Sequence, residues 1–266
     1  MTRQNYYKQR SLREREWIDE SLVLELIHRE RLRHPRMGCR KLMHLLKPDW
    51  ESAGVKIGRD RFFALLGRHD LLIERSRVCA RTTNSWHGFG VYPNLAKDLE
   101  LTGSHQLLVS DITYIRTLEG FMFLSLVMDA FSRAIVGYDS SASLEMEGAL
   151  RALSMAQSQL PRWRGDQPMH HSDRGSQYCC GPYIARLKEQ GMAISMTEAN
   201  HCYENARAER LNGILKQEYG LGVVFKNKSS VPSAVKEAVW LYNEYRPHGS
   251  LDNRAPMTVH RTGGAR

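Results

Sequence analysis

The chain has 266 residues, 42% hydrophobic and 25% charged. That is globular composition with apolar material for one large or two modest domains, and it excludes collagen-like, mucin-like and wholly disordered classes. The formal charge of +9 is uneven: residues 1–88 hold 19 Lys and Arg against 11 Asp and Glu, and residues 89–266 hold 19 against 18, so a polyanionic partner is predicted for the first third.

No apolar h-region follows Met1, so no signal peptide is read. Tyr6, Tyr7, Lys8 and Arg10 form a basic arm or a disordered end. Leu12 to Leu32 places Trp17, Ile18, Leu22, Leu26 and Ile27 near a 3.6-residue period, which predicts a helix broken by His34-Pro35. A short helix follows from Gly38 to Leu46 and stops at Pro48. A third, Arg59 to His69, turns Phe62, Leu65 and Leu66 inward and Arg61 and Arg68 outward. Arg-rich helices in this order are similar to a helix-turn-helix module over residues 1–75, with Arg59, Arg61 and Arg68 as candidate DNA contacts. Residues 76–100 have no sustained period and read as a linker.

After the linker the pattern changes. Gln106 to Ile115, Phe121 to Phe131 and Ala134 to Tyr138 are apolar, β-branched or aromatic runs with short connections, hence antiparallel strands. The longest, Phe121 to Met128, is interrupted by Ser125 and falls far short of the roughly 20 residues of a membrane helix. A helix from Leu144 to Ser158, a strand Met169 to Ser172, a helix Pro182 to Gln190, a strand Ala193 to Met196, and helices Cys202 to Glu218 and Val235 to Tyr245 complete an α/β mixed sheet. Arg261 to Arg266 is read as a fraying tail. Five cysteines, with Cys179 and Cys180 adjacent and no CxxC, fit neither a zinc ribbon nor a disulfide framework and agree with a reducing cytoplasm. His28, His34 and Cys39 lack metal-ligand spacing.

The acids are the chemically informative residues. Asp111 ends the run Leu107-Leu108-Val109-Ser110, where a buried carboxylate is costly without a partner. Asp173 lies just past a short strand, where α/β sheets place functional side chains. Asn205, Glu209, Asn212 and Lys216 make one polar helical stripe beside the apolar stripe Ala208, Leu211 and Leu215. Three converging carboxylates repel one another, and divalent cations with oxygen-ligand preference, Mg²⁺ or Mn²⁺, remove that penalty. Asp129 and Asp139 also flank strand ends, so period and composition alone do not choose the set.

The choice comes from a resemblance. Val109-Ser110-Asp111-Ile112-Thr113-Tyr114-Ile115 comes first, then Val127-Met128-Asp129-Ala130-Phe131-Ser132-Arg133 with Ile135-Val136-Gly137. His171-Ser172-Asp173-Arg174-Gly175-Ser176-Gln177-Tyr178, Glu204-Asn205-Ala206-Arg207-Ala208-Glu209 and Tyr242-Asn243-Glu244-Tyr245-Arg246-Pro247-His248 follow. In this order, with 35 residues between Asp173 and Glu209, they resemble the integrase-like DDE transposases of bacterial insertion sequences, of the OrfB type of the insertion sequence three family. The resemblance spans residues 35–260.

It implies an RNase H-like, retroviral integrase-like core at residues 101–260, preceded by the small all-helical domain. Asp111, Asp173 and Glu209 take the catalytic roles as ligands of two Mg²⁺ or Mn²⁺ ions per site, and Asp129 that of a structural strand-end residue. Arg40 and Lys41 fall on the basic motif of the family's helix-turn-helix-like region. Arg174, Asn205, Arg210, Asn212 and Lys216 are candidates for following the DNA backbone beside the metals. Arg246 and His248 fit either a DNA contact or a buried hydrogen-bond anchor, and the second is favoured because Pro247 fixes the backbone there. The implied reaction is Mg²⁺-dependent cleavage at insertion-sequence ends and strand transfer. The implied partners are double-stranded DNA of element ends and target, further copies of the chain, and a shorter upstream reading-frame product or a fusion with it. The implied place is the bacterial cytoplasm, at the nucleoid. An RNase H-like nuclease without strand transfer and a DNA-binding regulator with an inactive core are the alternatives. No Tyr follows Arg246 and His248, which disfavours a tyrosine recombinase, and no GxxxxGK[ST] is present.

Overall fold

A computed structural model describes residues 3–73, 89–97, 99–160, 167–198 and 206–263. The chain divides into two compact units, Met1–Arg77 and Val78–Arg266.

The first unit holds α1 (Arg3–Arg33), α2 (Cys39–Ser52) and α3 (Arg59–Arg68). Its core joins Val23, Leu26 and Ile27 of α1 to Leu42, Leu46 and Trp50 of α2 and Phe62, Leu65 and Leu66 of α3. The helix predicted to stop at Pro48 runs on to Ser52, because Trp50 is fully buried with its ring 5.4 Å from that of Phe62. That burial outweighs the backbone hydrogen bond Pro48 cannot donate. Trp17 and Ile18, counted in the predicted helical period, are 72% and 60% exposed; the core is met by Val23, Leu26 and Ile27 further along α1.

The second unit is built on a five-stranded sheet of order β3-β2-β1-β4-β5: β1 (Leu107–Thr117), β2 (Gly120–Asp129), β3 (Ile135–Ser141), β4 (Met169–Ser172) and β5 (Ala193–Met196). The first three strands pair antiparallel, while β4 pairs parallel with both β1 and β5. Alternation along the strands serves two cores. Leu107 and Val109 of β1 pack with Leu124, Leu126 and Met128 of β2 against α7 (Ala206–Glu218) and α8 (Val231–Tyr245). Leu108 packs with Val127 and Val136 against α4 (Met146–Ser158) and α6 (Gly181–Glu189). Gly137 of β3 is required by this packing, because a Cβ there would collide with the Ala152 carbonyl of α4.

Shorter features complete the unit. A one-turn helix α5 (Ser176–Cys179) follows β4, and α9 (Pro256–Thr262) ends the described chain. The predicted fraying tail is thus ordered as far as Gly263: Arg261 forks onto Glu244 at 3.1 and 2.8 Å, and the Gly263 carbonyl accepts from Ser104 N. Within the predicted linker, Leu95 N donates to Ser195 Oγ and Pro93 O accepts from Met196 N. That stretch therefore lies along the edge strand β5 as part of the second unit.

The motif Tyr242 to His248 is a structural clamp. Asn243 pairs both ways with the Ile135 backbone at 2.9 Å, Tyr242 OH donates to Arg133 O, and buried Arg246 forks onto Glu218 at 2.8 Å twice. Asp129, fully buried, accepts from His105 N, Ser132 N and Ser132 Oγ. Burial alone would raise its pKa; His260, Ser132 and the His105 amide outweigh that and hold it low.

Candidate active site

Strand alternation fixes where Asp111 points. It shares parity with Leu107 and Val109, so it faces the α7 side. The last paired residues of β1 and β4 are Ser110 and Ser172. Asp111 and Asp173 are each the next residue, so the parallel register brings both acids level at the carboxyl end of β4. Asp111 lies mid-strand in β1 rather than at a strand end, as the apolar run had implied. It is β4 that ends there.

Local bonds hold both groups. Asp111 Oδ1 accepts from Ile112 N at 2.9 Å and Oδ2 from Asn212 Nδ2 at 2.6 Å. Asp173 Oδ1 accepts from Gly175 N at 2.9 Å, and a Cβ on Gly175 would stand 3.0 Å from that oxygen. Arg174 Nε donates to Thr197 O at 2.6 Å, and Thr197 N donates to Ser172 O, which ties the turn to the end of β5. Glu209 sits in the first turn of α7, exposed, with Asn212 and Lys216 on the same stripe.

Electrostatics link the three acids. Burial, the charge of Asp173 and then that of Glu209 push Asp111 up to about 8, against the hydrogen bonds from Ile112 and Asn212. A carboxylate made costly by two others is one that a cation would relieve. Half-buried Lys216 stands 4.3 Å from the Tyr114 ring centroid, and burial lowers its pKa although Asp111 favours its charge. Among the described residues, no three His, Cys, Asp or Glu side chains form a ready metal-holding group. The donor chemistry fits a hard divalent ion, while the three acids do not close into one ligand shell by themselves.

Beneath the acids lies a buried polar cluster around His170 and His171 of β4. His170 Nε2 meets Ser110 Oγ at 2.8 Å and Tyr183 OH at 3.0 Å, and His171 Nδ1 meets Ser195 Oγ at 2.9 Å. Burial and neighbouring His171 hold His170 down to about 3, so it is neutral. These bonds cross-tie β1, β4, β5 and α6 under the level where Asp111 and Asp173 emerge.

The candidate DNA contacts divide. Asn212 holds Asp111, and Arg174 holds a backbone carbonyl. Arg61 and Arg68, predicted to face outward, both reach Glu20 Oε1 of α1, at 3.4 and 2.9 Å. Arg59 rests on Asp60, and Arg40 is exposed beside Lys41 in the first turn of α2. Asn205 lies outside the described residues. Arg210 is exposed and lines a cleft with Arg133 and Arg207. Arg133 and Arg207 were not among the predicted contacts; the available signal was a cation at the turn after a strand and another three residues before Arg210 on the same helix.

Comparison with known proteins supplies the family context. Two models described as integrase core domain match residues 102–202 and 190–256. An uncharacterized 31 kDa protein of insertion element IS600 from Shigella sonnei is 33% identical over 96% of this chain and 93% of its own length. Transposase InsF for insertion sequence IS3A from Escherichia coli is 32% identical over 89% of this chain and 80% of its own length. A subunit of the simian T-cell lymphotropic virus intasome, solved in complex with a PP2A regulatory subunit, is 16% identical. It covers 80% of this chain and 69% of its own, at a TM-score of 0.51, which shows the shared RNase H-like fold.

Proposed function

Since this chain belongs to the family of IS3-type transposases, we propose that it cuts DNA at the ends of its insertion sequence and joins the freed ends to new DNA. The observation that carries the reading is the β1–β4 register, which sets Asp111 and Asp173 level with Asp111 coupled to both Asp173 and Glu209.

In this reading Asp111, Asp173 and Glu209 hold two Mg²⁺ or Mn²⁺ ions. When bound, such ions neutralise the charge on the attacking and leaving oxygens of an in-line phosphoryl displacement. The chain's own residues do the positioning. Asn212 fixes one oxygen of Asp111, Gly175 N fixes one oxygen of Asp173, and the His170 cluster keeps the strands in register. Water adds to phosphorus and a 3′ oxygen leaves with a proton. That 3′-hydroxyl then adds to another phosphodiester and expels its 3′ oxygen. One phosphoester forms for each that breaks in joining, so no nucleotide cofactor is needed. Positioning and charge neutralisation carry the rate.

The partners in this reading are double-stranded DNA and, because two ends must meet, further copies of the chain. An upstream reading-frame product, separate or fused, completes the assembly. The helical unit at residues 1–75, with Arg40, Lys41, Arg59, Arg61 and Arg68, grips DNA alongside the core at residues 101–260, and the protein works at the bacterial nucleoid. Among the described residues no helix is long and apolar enough to cross a membrane.

Incubation of the full chain with the element's own ends and a target duplex tests this, with and without Mg²⁺ and with and without the upstream product. Joined strands that require Mg²⁺ are predicted. Hydrolysis alone, in any combination, would favour the plain nuclease.

A further inference from the structure

A cleft of about 250 Å³ opens between α7 and α8, lined by Arg133, Arg207, Arg210, Tyr242, His248 and Ser250 over a floor of Met128, Leu211 and Ile214. Among the described residues none of its lining is acidic. On α7, Arg207 and Arg210 project on the side of Ile214, whereas Glu209, Asn212 and Lys216 make the stripe that meets the carboxylates. The cleft therefore lies across the helix from the acids, a separation of the order of one helix diameter, about 10 Å.

Two features mark it as more than surface. The first is gathered like charge. Among the described residues Arg207 and Arg210 have no ion-pair partner, and half-buried Arg133 has its pKa lowered by burial and by the charge of Arg207, against the opposing charges of Tyr242 and Asp129. The second is backbone strain. Arg133 sits at φ +64°, a left-handed conformation that Gly or Asn adopts more readily. Its N–H donates to Asp129 O and its carbonyl accepts from Tyr242 OH, which fixes it there. Three guanidinium side chains thus line one cleft, one of them carried by a left-handed turn, and an anion seated among them would relieve their mutual repulsion.

We propose that this cleft binds a phosphate of the DNA backbone, away from the phosphate being cut, through the guanidinium groups of Arg133, Arg207 and Arg210. Planar guanidinium forks suit two phosphate oxygens. A duplex seated here and at the acids would straddle α7, and the scissile bond would be placed by a contact outside the metal site. The inference rests on the proposed transposase function and extends it to a named second contact.

Arg133→Gly is the informative variant, because glycine relieves the strained turn and so separates folding from binding. Arg207→Gln and Arg210→Gln accompany it. Affinity of the full chain for a duplex carrying the element's end is measured in EDTA across a salt series, together with each variant's melting temperature. Each variant is predicted to bind roughly 5–10-fold more weakly near 0.1 M salt and to lose about one unit of salt slope. Arg133→Gly is predicted to melt no lower than the parent. Unchanged affinity and slope in all three would overturn the proposal. So would an inorganic-phosphate-induced rise in melting temperature that Arg133→Gly abolishes while duplex affinity stays intact, since the cleft would then be a small-anion site. Cleavage by the parent protein is followed in parallel. A parent that never cuts DNA overturns the functional reading, whereas a cutting parent with indifferent arginine variants overturns only the cleft.

Discussion

The Asn212 side-chain amide donates to Asp111 Oδ2 over 2.6 Å, so a residue of α7 reaches the sheet and fixes the acid of β1. Asn212 is mostly buried, which makes it a positioning residue for Asp111 rather than a groove-facing contact. Asn212→Ala should therefore weaken Mn²⁺ binding and cleavage by about 10–100-fold, the usual cost of losing a group that orients a metal ligand. Duplex affinity should stay within about twofold, because a neutral amide releases no counterion. A large loss of duplex affinity with intact Mn²⁺ binding would restore Asn212 to the DNA-contact set. Mn²⁺ titration calorimetry and a duplex-binding assay on the same variant separate the two.

Asp111 predicts a pH dependence for cation binding. Its pKa of about 8 in the cation-free protein means that a bound cation displaces a proton below that pH. Mn²⁺ affinity should rise by up to about tenfold per pH unit between pH 6 and 8 and level off above. Asp111→Asn should abolish that slope. Calorimetry in two buffers of different ionisation enthalpy would show the released proton directly.

Asp111 and Asp129 should move stability with pH in opposite directions. Asp111 is raised in the fold, so its destabilising effect grows as pH climbs from the unfolded carboxylate range to about 8. Asp129 is held low, so its stabilising effect is present above the unfolded carboxylate range and fades as pH falls through the folded pKa. In EDTA near pH 8, Asp111→Asn should stabilise the protein by about 1–3 kcal/mol and Asp129→Asn should destabilise it by a similar amount. Near pH 4 the Asp111→Asn difference should shrink toward nothing. Melting curves from pH 4 to 8.5 check both signs.

Arg246 and Glu218 form a bidentate pair at 2.8 Å with the guanidinium almost fully buried. Removing one partner strands the other charge, so Arg246→Ala should cost about 3–5 kcal/mol. Arg246→Lys should recover only part, since an ammonium cannot fork. Urea midpoints measure both.

Much of this architecture was legible in the sequence. The apolar and β-branched runs between Gln106 and Tyr138, their short connections, and the stripe from Ala208 to Leu215 placed the first three strands and the end of α7 close to their observed bounds. What escaped was tertiary. No local rule shows that burying Trp50 carries α2 past Pro48, or that Trp17 and Ile18 stay exposed. Likewise Asn212 and Arg174 read as groove-facing polar groups until the fold supplied Asp111 and the Thr197 carbonyl as their partners. The cleft needed Arg133, from the turn after β2, and Arg207, from α7, to be brought together across more than seventy residues of chain.

Asp111, Asp173 and Glu209 are proposed to act as one metal-dependent site. Its most direct test is the rate of strand cleavage at the element's ends in Mg²⁺ by Asp111→Asn, Asp173→Asn and Glu209→Gln, beside duplex affinity in EDTA. Each variant is predicted to lose cleavage by at least about 10³-fold, as expected when a ligand of a two-ion site is removed, while binding the duplex as the parent does. Parental cleavage rates in any one of the three would contradict the assignment.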